Sequence, residues 1–413
     1  MRILYSAIAS LAQTLMPLAA LFNAKAKLWV NGRVNWRDRL MQWRNEHEGE
    51  LIWFHCASLG EFEQGRPVIE RIRRDFPRYR MLLTFFSPSG YEIRKAYNRV
   101  DGVFYLPADT QSNARDFLEI VRPAKVCFVK YEYWPNYMLA CEERSIPLVM
   151  VSAILRPNQR FFGWVSFFWK PVLQTVDHFF VQDKQSAELL SKLDITCCTV
   201  AGDTRFDRVL EVVSSSAAIP ELEAWKGSAS VLIGGSTWPA DEEVLHAWWR
   251  GRRQDAASWK LIIVPHEVGE GHIEALQRMW LEAVLWSARN ENGWTDASVL
   301  IVDEIGHLSA MYRYGTLAWI GGGFGAGIHN TLEAAAWRLP LVFGPQYEKF
   351  NEARGLLDAD AARTAQNASE GLEILYEWTG AGTDLKRIGA ASGYFVARGA
   401  GATDKIMSFL ELR

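Results

Sequence analysis

The chain has 413 residues, too many for one ordinary core, so two domains plus an appendage is the expectation. Hydrophobic residues make up 49% and charged residues 23%, the proportions of a globular protein, and a net charge of -3 speaks against a general nucleic-acid binder, which needs a basic excess to neutralise phosphates. The five cysteines form no CxxC pair and lie mostly in apolar runs, so they read as reduced core residues of a cytosolic protein.

Residues 3–23 carry no charge and are long enough to span a bilayer, although Gln13, Pro17, Ser6, Ser10 and Thr14 dilute the run. Only Arg2 precedes it, and no small-x-small cleavage site leads into a cysteine-paired domain. It therefore reads as an uncleaved anchor or monotopic helix, residues 1–30, rather than a secretory signal. Lys25, Lys27, Arg33, Arg37 and Arg39 supply the cationic flank expected on the cytoplasmic side. A buried first helix of the following domain is the alternative, because apolar length does not separate the two.

From residue 51 short β-rich runs alternate with amphipathic stretches. Strands are predicted at 51–55, 80–86, 103–106, 125–129, 147–152 and 178–182, with helical windows at 65–74, 113–121 and 135–144. Residues 209–228, with Ser214-Ser215-Ser216 and Pro220, break the rhythm and read as a linker. A second series predicts strands at 231–234, 260–264, 299–302, 316–320 and 340–343. The fold class expected is α/β with two Rossmann-like, doubly wound domains, 40–208 and 229–413, and the C-terminal helix has the length to cross back to the first. Ligands bind beyond the carboxyl ends of such strands, and a cleft between the domains is the natural site.

The strand ends carry the candidate chemistry. His55-Cys56-Ala57-Ser58-Leu59-Gly60-Glu61 runs from a strand through a turn into a helix, which places Glu61 in the first helical turn. It is either a general base or an ordinary acid complementing the dipole. Phe86-Ser87-Pro88-Ser89-Gly90 offers hydroxyls for a phosphate, or a plain helix cap. Lys130 and Glu132 sit at another strand end, where they can pair with each other. Arg66, Arg71, Arg73, Arg74, Arg78 and Arg80 form either an anion-facing patch or a solvated helix face. In the second series, Gly321-Gly322-Gly323 leads to a helix start at Asn330, an N-cap type. Unpaired N–H groups and the helix dipole there would favour a phosphate, with Glu333 closing a capping box or reaching sugar hydroxyls; a ligand-free βα turn reads equally well from the glycines. No metal motif and no GxxxxGK[ST] is present in the sequence, and no GxGxxG with an acidic residue about twenty positions on begins the first domain.

These residues resemble the 3-deoxy-D-manno-octulosonic acid (Kdo) transferases, membrane-associated GT-B glycosyltransferases that move Kdo from CMP-Kdo to a lipid A precursor. His55 to Glu61 looks like that family's H-x-x-S-x-G-E segment, Tyr131-Glu132-Tyr133-Trp134-Pro135-Asn136 is similar to its T-E-x-W-P-N segment, and Gly202-Asp203-Thr204-Arg205-Phe206-Asp207 to its G-N-x-K-F-D segment. His329-Asn330-Thr331-Leu332-Glu333 before Phe343-Gly344-Pro345 is the most specific match. The chain departs from the family at Pro265-His266-Glu267, where many members carry Pro-Arg-His, at Thr331 in place of proline and at Arg205 in place of lysine.

The resemblance implies Glu61 as catalytic base, with Glu132 beside it, and an acceptor side of Ser58, Gly60, Ser87, Ser89, Arg156 and Arg205. It implies a nucleotide side of Gly235, Ser236, Thr237, Pro265, His266, Gly306, Gly322, Gly323, Asn330 and Glu333. No metal or other cofactor is expected beyond the donor CMP-Kdo. The partners implied are the lipid A precursor and the cytoplasmic face of the bacterial inner membrane, with no nucleic acid. A lipid A disaccharide synthase, a UDP-sugar 2-epimerase or a non-catalytic membrane-tethered nucleotide-binding scaffold would share the fold.

Overall fold

A computed structural model describes residues 2–252, 259–291 and 293–412. It divides into two compact units, Met1–Asp207 with Ala400–Arg413, and Arg208–Gly399.

The strands of the first unit are β1 (Leu51–Cys56), β2 (Arg80–Phe85), β3 (Gly102–Tyr105), β4 (Lys125–Val129), β5 (Leu148–Ala153), β6 (His178–Val181) and β7 (Cys198–Val200). They form one parallel sheet in the order β3-β2-β1-β4-β5-β6-β7. Its helices are α1 (Arg2–Ala20), α2 (Ala24–Asn31), α3 (Trp36–Glu46), α4 (Leu59–Asp75), α5 (Pro88–Arg94), α6 (Gln111–Val121), α7 (Pro135–Glu142), α8 (Ser166–Gln174) and α9 (Lys184–Ser191). A strand covered on both faces reads as a near-continuous apolar run, and β1 is buried throughout and apolar but for His55. Alternate residues serve the two cores: Trp53 and Phe128 pack with Leu40, Phe117 and Tyr137, whereas Ile52, Phe54 and Cys127 pack with Phe62, Ile69 and Ile72 of α4.

The chain leaves this unit within α10 (Arg205–Ser215) and continues through α11 (Pro220–Lys226). The stretch 209–228, expected as a linker, is thus largely helical, with Leu222 and Trp225 of α11 buried. The second sheet comprises β8 (Ser230–Thr237), β9 (Trp259–Pro265), β10 (Ala283–Leu285), β11 (Val299–Ile301), β12 (Leu317–Ile320), β13 (Leu341–Phe343) and β14 (Ala362–Thr364), in the order β10-β11-β9-β8-β12-β13-β14. Its helices are α12 (Pro239–Gly251), α13 (Glu270–Met279), α14 (Leu308–Met311), α15 (Thr331–Ala336), α16 (Asn351–Asp358), α17 (Ala368–Thr379) and α18 (Leu385–Gly399). The last helix, α19 (Ala402–Leu410), belongs to the first unit, where Ile406 and Leu410 complete the core under α4. In each sheet the strand order reverses direction beside the first strand, β1 next to β4 and β8 next to β12. Ligands collect outside the carboxyl ends at such a reversal.

Two expectations for the N-terminal region change. α1 is the one helix among the described residues long and apolar enough to cross a membrane, and none of it is buried, so the reading of it as a buried first helix fails. Nor is it free of the domain: Tyr5 Oη donates to Asp109 at 2.8 Å, Ser6 Oγ to Asn136 at 3.0 Å, and Gln13 Oε1 accepts from Asn113 at 3.0 Å. In the cationic flank, Arg33 lies over Trp29 and donates to the Phe86 and Leu106 carbonyls, and Arg37 pairs with Asp116. Those two arginines are used by the fold.

Candidate active site

The first unit brings two carboxylates to the carboxyl ends of β1 and β4. Glu61 is the third residue of α4 and curls back over the turn, its Oε2 accepting from the Ala57 amide at 2.6 Å and the Ser58 amide at 3.1 Å. The capping interaction of an ordinary N-terminal glutamate is therefore present. Unlike an ordinary one, it is buried, and burial together with the negative charge of Glu132 pushes its carboxyl up to about 7, against the two amides and Lys130, which pull the other way. A carboxylate poised there is a competent proton acceptor near neutral pH. Its titration should appear directly in activity: the rate rises with pH through about 7 as the base loses its proton. Removing the like charge by Glu132→Gln should move that limb to lower pH, and an unmoved limb would separate the two carboxylates.

Glu132 is placed by its neighbours. Lys130, at φ 66, turns the chain sharply after β4, and Glu132 Oε2 then accepts from His55 Nε2 at 2.8 Å and Trp134 Nε1 at 2.6 Å. The strand register sets His55 opposite Thr84, so its other nitrogen, Nδ1, faces the Thr84 hydroxyl at 2.9 Å and carbonyl at 3.1 Å. A wholly buried imidazole is thus held at both nitrogens and fixes the carboxylate. Phe86 packs on Trp134 at 4.5 Å and Trp29 of α2 packs on Phe86 at 5.8 Å, so the N-terminal helices brace this corner. The Lys130 ammonium lies over the Tyr131 ring, 5.1 Å from its centroid.

The remaining acceptor-side candidates are dispersed. Gly60, in the first turn of α4, is exposed, and a Cβ there would meet nothing within 4 Å, so the fold itself does not require glycine. Ser87 caps α5, accepting from the Ser89 amide at 3.3 Å, with the two hydroxyls 3.0 Å apart, which is the plain-cap reading. Arg156 hydrogen-bonds Tyr131 beside Glu132. Arg205 is bonded to Asp203 Oδ2 at 2.7 and 2.9 Å. Five of the six arginines of the predicted patch are paired with acids: Arg66 binds Glu70, Arg71 binds Asp75 and Asp404, Arg73 and Arg80 share Asp101, and Arg74 binds Asp75, while Arg78 donates to the Tyr79 hydroxyl.

In the second unit the loops after β8, β9, β12 and β13 converge. Ser236 takes φ 53, a strained value for a residue with a side chain, and Thr237 donates to Glu242 at 2.9 Å. His266 stacks on Trp238, at 4.8 Å, and on His329, at 4.3 Å, while Trp238 and His329 lie 6.5 Å apart. Burial, then the neighbouring His266, pushes His329 down to about 4, so a neutral ring accepts from Trp238 Nε1 at 3.0 Å. Gly306 is exposed on the loop after β11 at φ 98.

The glycine turn differs from its expectation. The Gly321 amide donates to the Gly235 carbonyl, and the Gly322 amide to Asp241 at 2.9 Å, so these two N–H groups are already engaged. What the glycines supply is close approach of backbone to backbone. A Cβ on Gly321 would strike the Ser236 carbonyl, and one on Gly323 would sit 2.5 Å from the Gly344 amide. α15 is six residues long, which limits its dipole. Asn330 does cap it, accepting from the Leu332 amide at 3.1 Å, and its own amide donates to Glu333 at 2.8 Å, so Glu333 faces the cap side chain rather than closing a box. The buried Thr331 hydroxyl beside it has no protein partner.

Three residues organise these corners without having been given a role from sequence: His55 and Trp134, quoted only as members of their segments, and Asp241, which was not singled out. Asp241 Oδ2 accepts from the Trp238 and Gly322 amides and Oδ1 from Trp319 Nε1, all at 2.9 to 3.0 Å. An acid buried in the first turn of α12, three residues after Trp238, was the available signal.

Two parallel seven-stranded α/β units with an appended apolar helix constitute the GT-B architecture of nucleotide-sugar enzymes. The fold matches UDP-GlcNAc 2-epimerase from Neisseria meningitidis at a TM-score of 0.59 with 13% identity, over 88% of this chain and 99% of that one, and MurG of Acinetobacter baumannii at 0.54 with 12% identity, over 87% and 99%. Residues 34–208 match the family model described as 3-Deoxy-D-manno-octulosonic-acid transferase (kdotransferase). A 3-deoxy-D-manno-octulosonic acid transferase of Aquifex aeolicus is 24% identical over 75% of this chain and 80% of its own length, and one of Haemophilus influenzae is 25% identical over 87% and 86%. By the family model within its first unit, and by these relatives over most of its length, the chain is similar to the Kdo transferases.

Proposed function

We propose that this glycosyltransferase moves Kdo from CMP-Kdo to a glucosamine hydroxyl of a lipid A precursor, with inversion, at the cytoplasmic face of the inner membrane. The observation carrying the reading is Glu61, a buried carboxylate raised to about 7 by its surroundings and by Glu132. It would take the proton of the attacking acceptor hydroxyl while that oxygen forms its bond to the ketosidic carbon of the donor. The carbon–oxygen bond to CMP breaks in the same step. CMP leaves as a phosphate monoester anion and needs no proton, so one base suffices.

Ser58 and the open face of Gly60 lie next to Glu61 on the acceptor side. The loops bearing Ser236, His266, Asn330 and Glu333 would hold the nucleotide, with Glu333 toward the ribose hydroxyls. Departure of CMP is assigned to protein groups alone, without a divalent ion.

The polar bonds of α1 favour a helix lying along the membrane surface. Gln13, halfway along α1, is bonded to Asn113 of the domain, whereas Leu4, Ile8, Leu11, Leu15 and Leu18 point outward on one stripe.

Incubation with CMP-Kdo and a lipid A precursor, with the product weighed by mass spectrometry, should show addition of Kdo at undiminished rate in EDTA. Turnover of a UDP-sugar instead would replace the assignment, and a strict magnesium requirement would remove the metal-free step. Calorimetry should show Glu333→Ala weakening CMP by about 1 to 3 kcal/mol, the range for leaving buried polar partners unpaired. Unchanged affinity would take Glu333 out of the nucleotide site.

A further inference from the structure

At the start of α1 lies a cavity of about 330 Å³ walled by Arg2, Arg115 and Arg144 together with Gln111, Ser112 and Glu143. Three guanidinium groups here face one carboxylate. Arg2 Nη1 meets Glu143 at 2.7 Å, but its buried Nε has no partner. Among the described residues Arg115 reaches Asp116, at 3.4 Å, and that acid is already held by Arg37 at 2.8 Å. Arg144 makes a 3.3 Å bond to the Ala140 carbonyl of its own turn. The excess is cationic, donor-rich and without acceptor capacity, and forked guanidinium donors match the oxygens of a phosphate.

The position of the cavity narrows the source of that phosphate. Arg2 is followed directly by Ile3 and Leu4, exposed at 86% and 55%, which begin the outward apolar stripe of α1. A group entering the cavity would sit at the end of the helix that meets hydrocarbon, where the headgroups of a bilayer lie. We propose that this cavity seats the phosphate of an anionic lipid headgroup. The inference rests on the reading of α1 as a membrane-lying helix, and it gives that helix a chemically selective end.

Flotation of the full-length protein on vesicles tests it. Wild type should bind phosphatidylcholine vesicles containing phosphatidylglycerol on the order of tenfold more tightly than phosphatidylcholine alone, the scale expected when a few basic residues meet an anionic surface. Arg115→Glu with Arg144→Glu should keep the phosphatidylcholine binding and lose most of the preference, whereas Arg250→Glu with Arg278→Glu, the same change of net charge on the second unit, should keep it. Equal loss in the two pairs would make the effect one of general charge and overturn the assignment. Inorganic phosphate titrated into wild type and the cavity variant reads the seat separately. Saturable binding lost in the variant, without a vesicle preference, would overturn the lipid source in favour of free phosphate. Failure of wild type to float on either vesicle would sink the membrane reading itself, distinct from failure of the cavity.

Discussion

Glu61→Gln should lose turnover by on the order of a hundredfold to ten-thousandfold, the contribution of a positioned proton acceptor, while CMP affinity stays as in wild type. The separation follows from where the groups lie: Glu61 belongs to the first unit, and the loops assigned to the nucleotide all belong to the second. Glutamine keeps the shape of the side chain and one oxygen for the Ala57 and Ser58 amides, so the helix start survives. It cannot take a proton from a hydroxyl. Single-turnover assays with saturating CMP-Kdo isolate the chemical step, and a variant within a few-fold of wild type would remove Glu61 as the base. Thermal unfolding serves as the control. Replacing an acid raised by burial should leave the protein as stable or slightly more so at pH 8, because the folded state holds that proton more tightly than the unfolded state and loses stability as pH rises toward 7.

The central strands were legible because each is a fully buried apolar run. The predicted 125–129 coincides with β4, and 51–55 falls one residue short of β1. The strands that escaped, β7, β10 and β14, are three residues long and lie at sheet edges, where so short a run carries no period to detect. The stretch 209–228 is largely helical although its residue types suggested a break. Its serines and Pro220 are turn residues by type, yet the proline occupies the first position of α11, where a missing N–H costs nothing.

Glu61 was visible in the sequence because strand end, turn and first helical turn follow one another locally. Its raised proton affinity was not, since that depends first on burial by the folded unit and then on Glu132, 71 positions on, which is held by the His55 that the register of β1 and β2 sets against Thr84. The arginines of residues 66–80 show the reverse failure. Six positive charges in a short span suggest a patch, but the acids that pair with five of them include Asp101 and Asp404, brought in from the residue before β3 and from α19 by the fold. Glycines mislead in the same manner: Gly321 and Gly323 look like a cradle for a ligand, and their first physical task is to let the ends of β8, β12 and β13 touch.

Asp241 carries the largest structural effect expected in the second unit. Its two oxygens take three donors, the amides of Trp238 and Gly322 and the indole of Trp319, and the side chain is wholly buried. Asp241→Ala leaves all three without an acceptor in a place water does not reach. At about 1 to 3 kcal/mol for each orphaned group, the loss is comparable with much of the total stability of an ordinary domain. Asp241→Asn is the informative companion. Its single oxygen can serve either the paired amides or the indole, and its NH2 must point at donors on the other side, so it should fall between wild type and alanine in urea unfolding. Because the Gly322 amide is one of the three, the loop from Gly321 to Asn330 should loosen before the unit melts. CMP affinity should therefore drop in Asp241→Asn at temperatures where the protein is still folded by circular dichroism. Unfolding midpoints and CMP affinities equal to wild type in both variants would show that the carboxylate does not hold the turn.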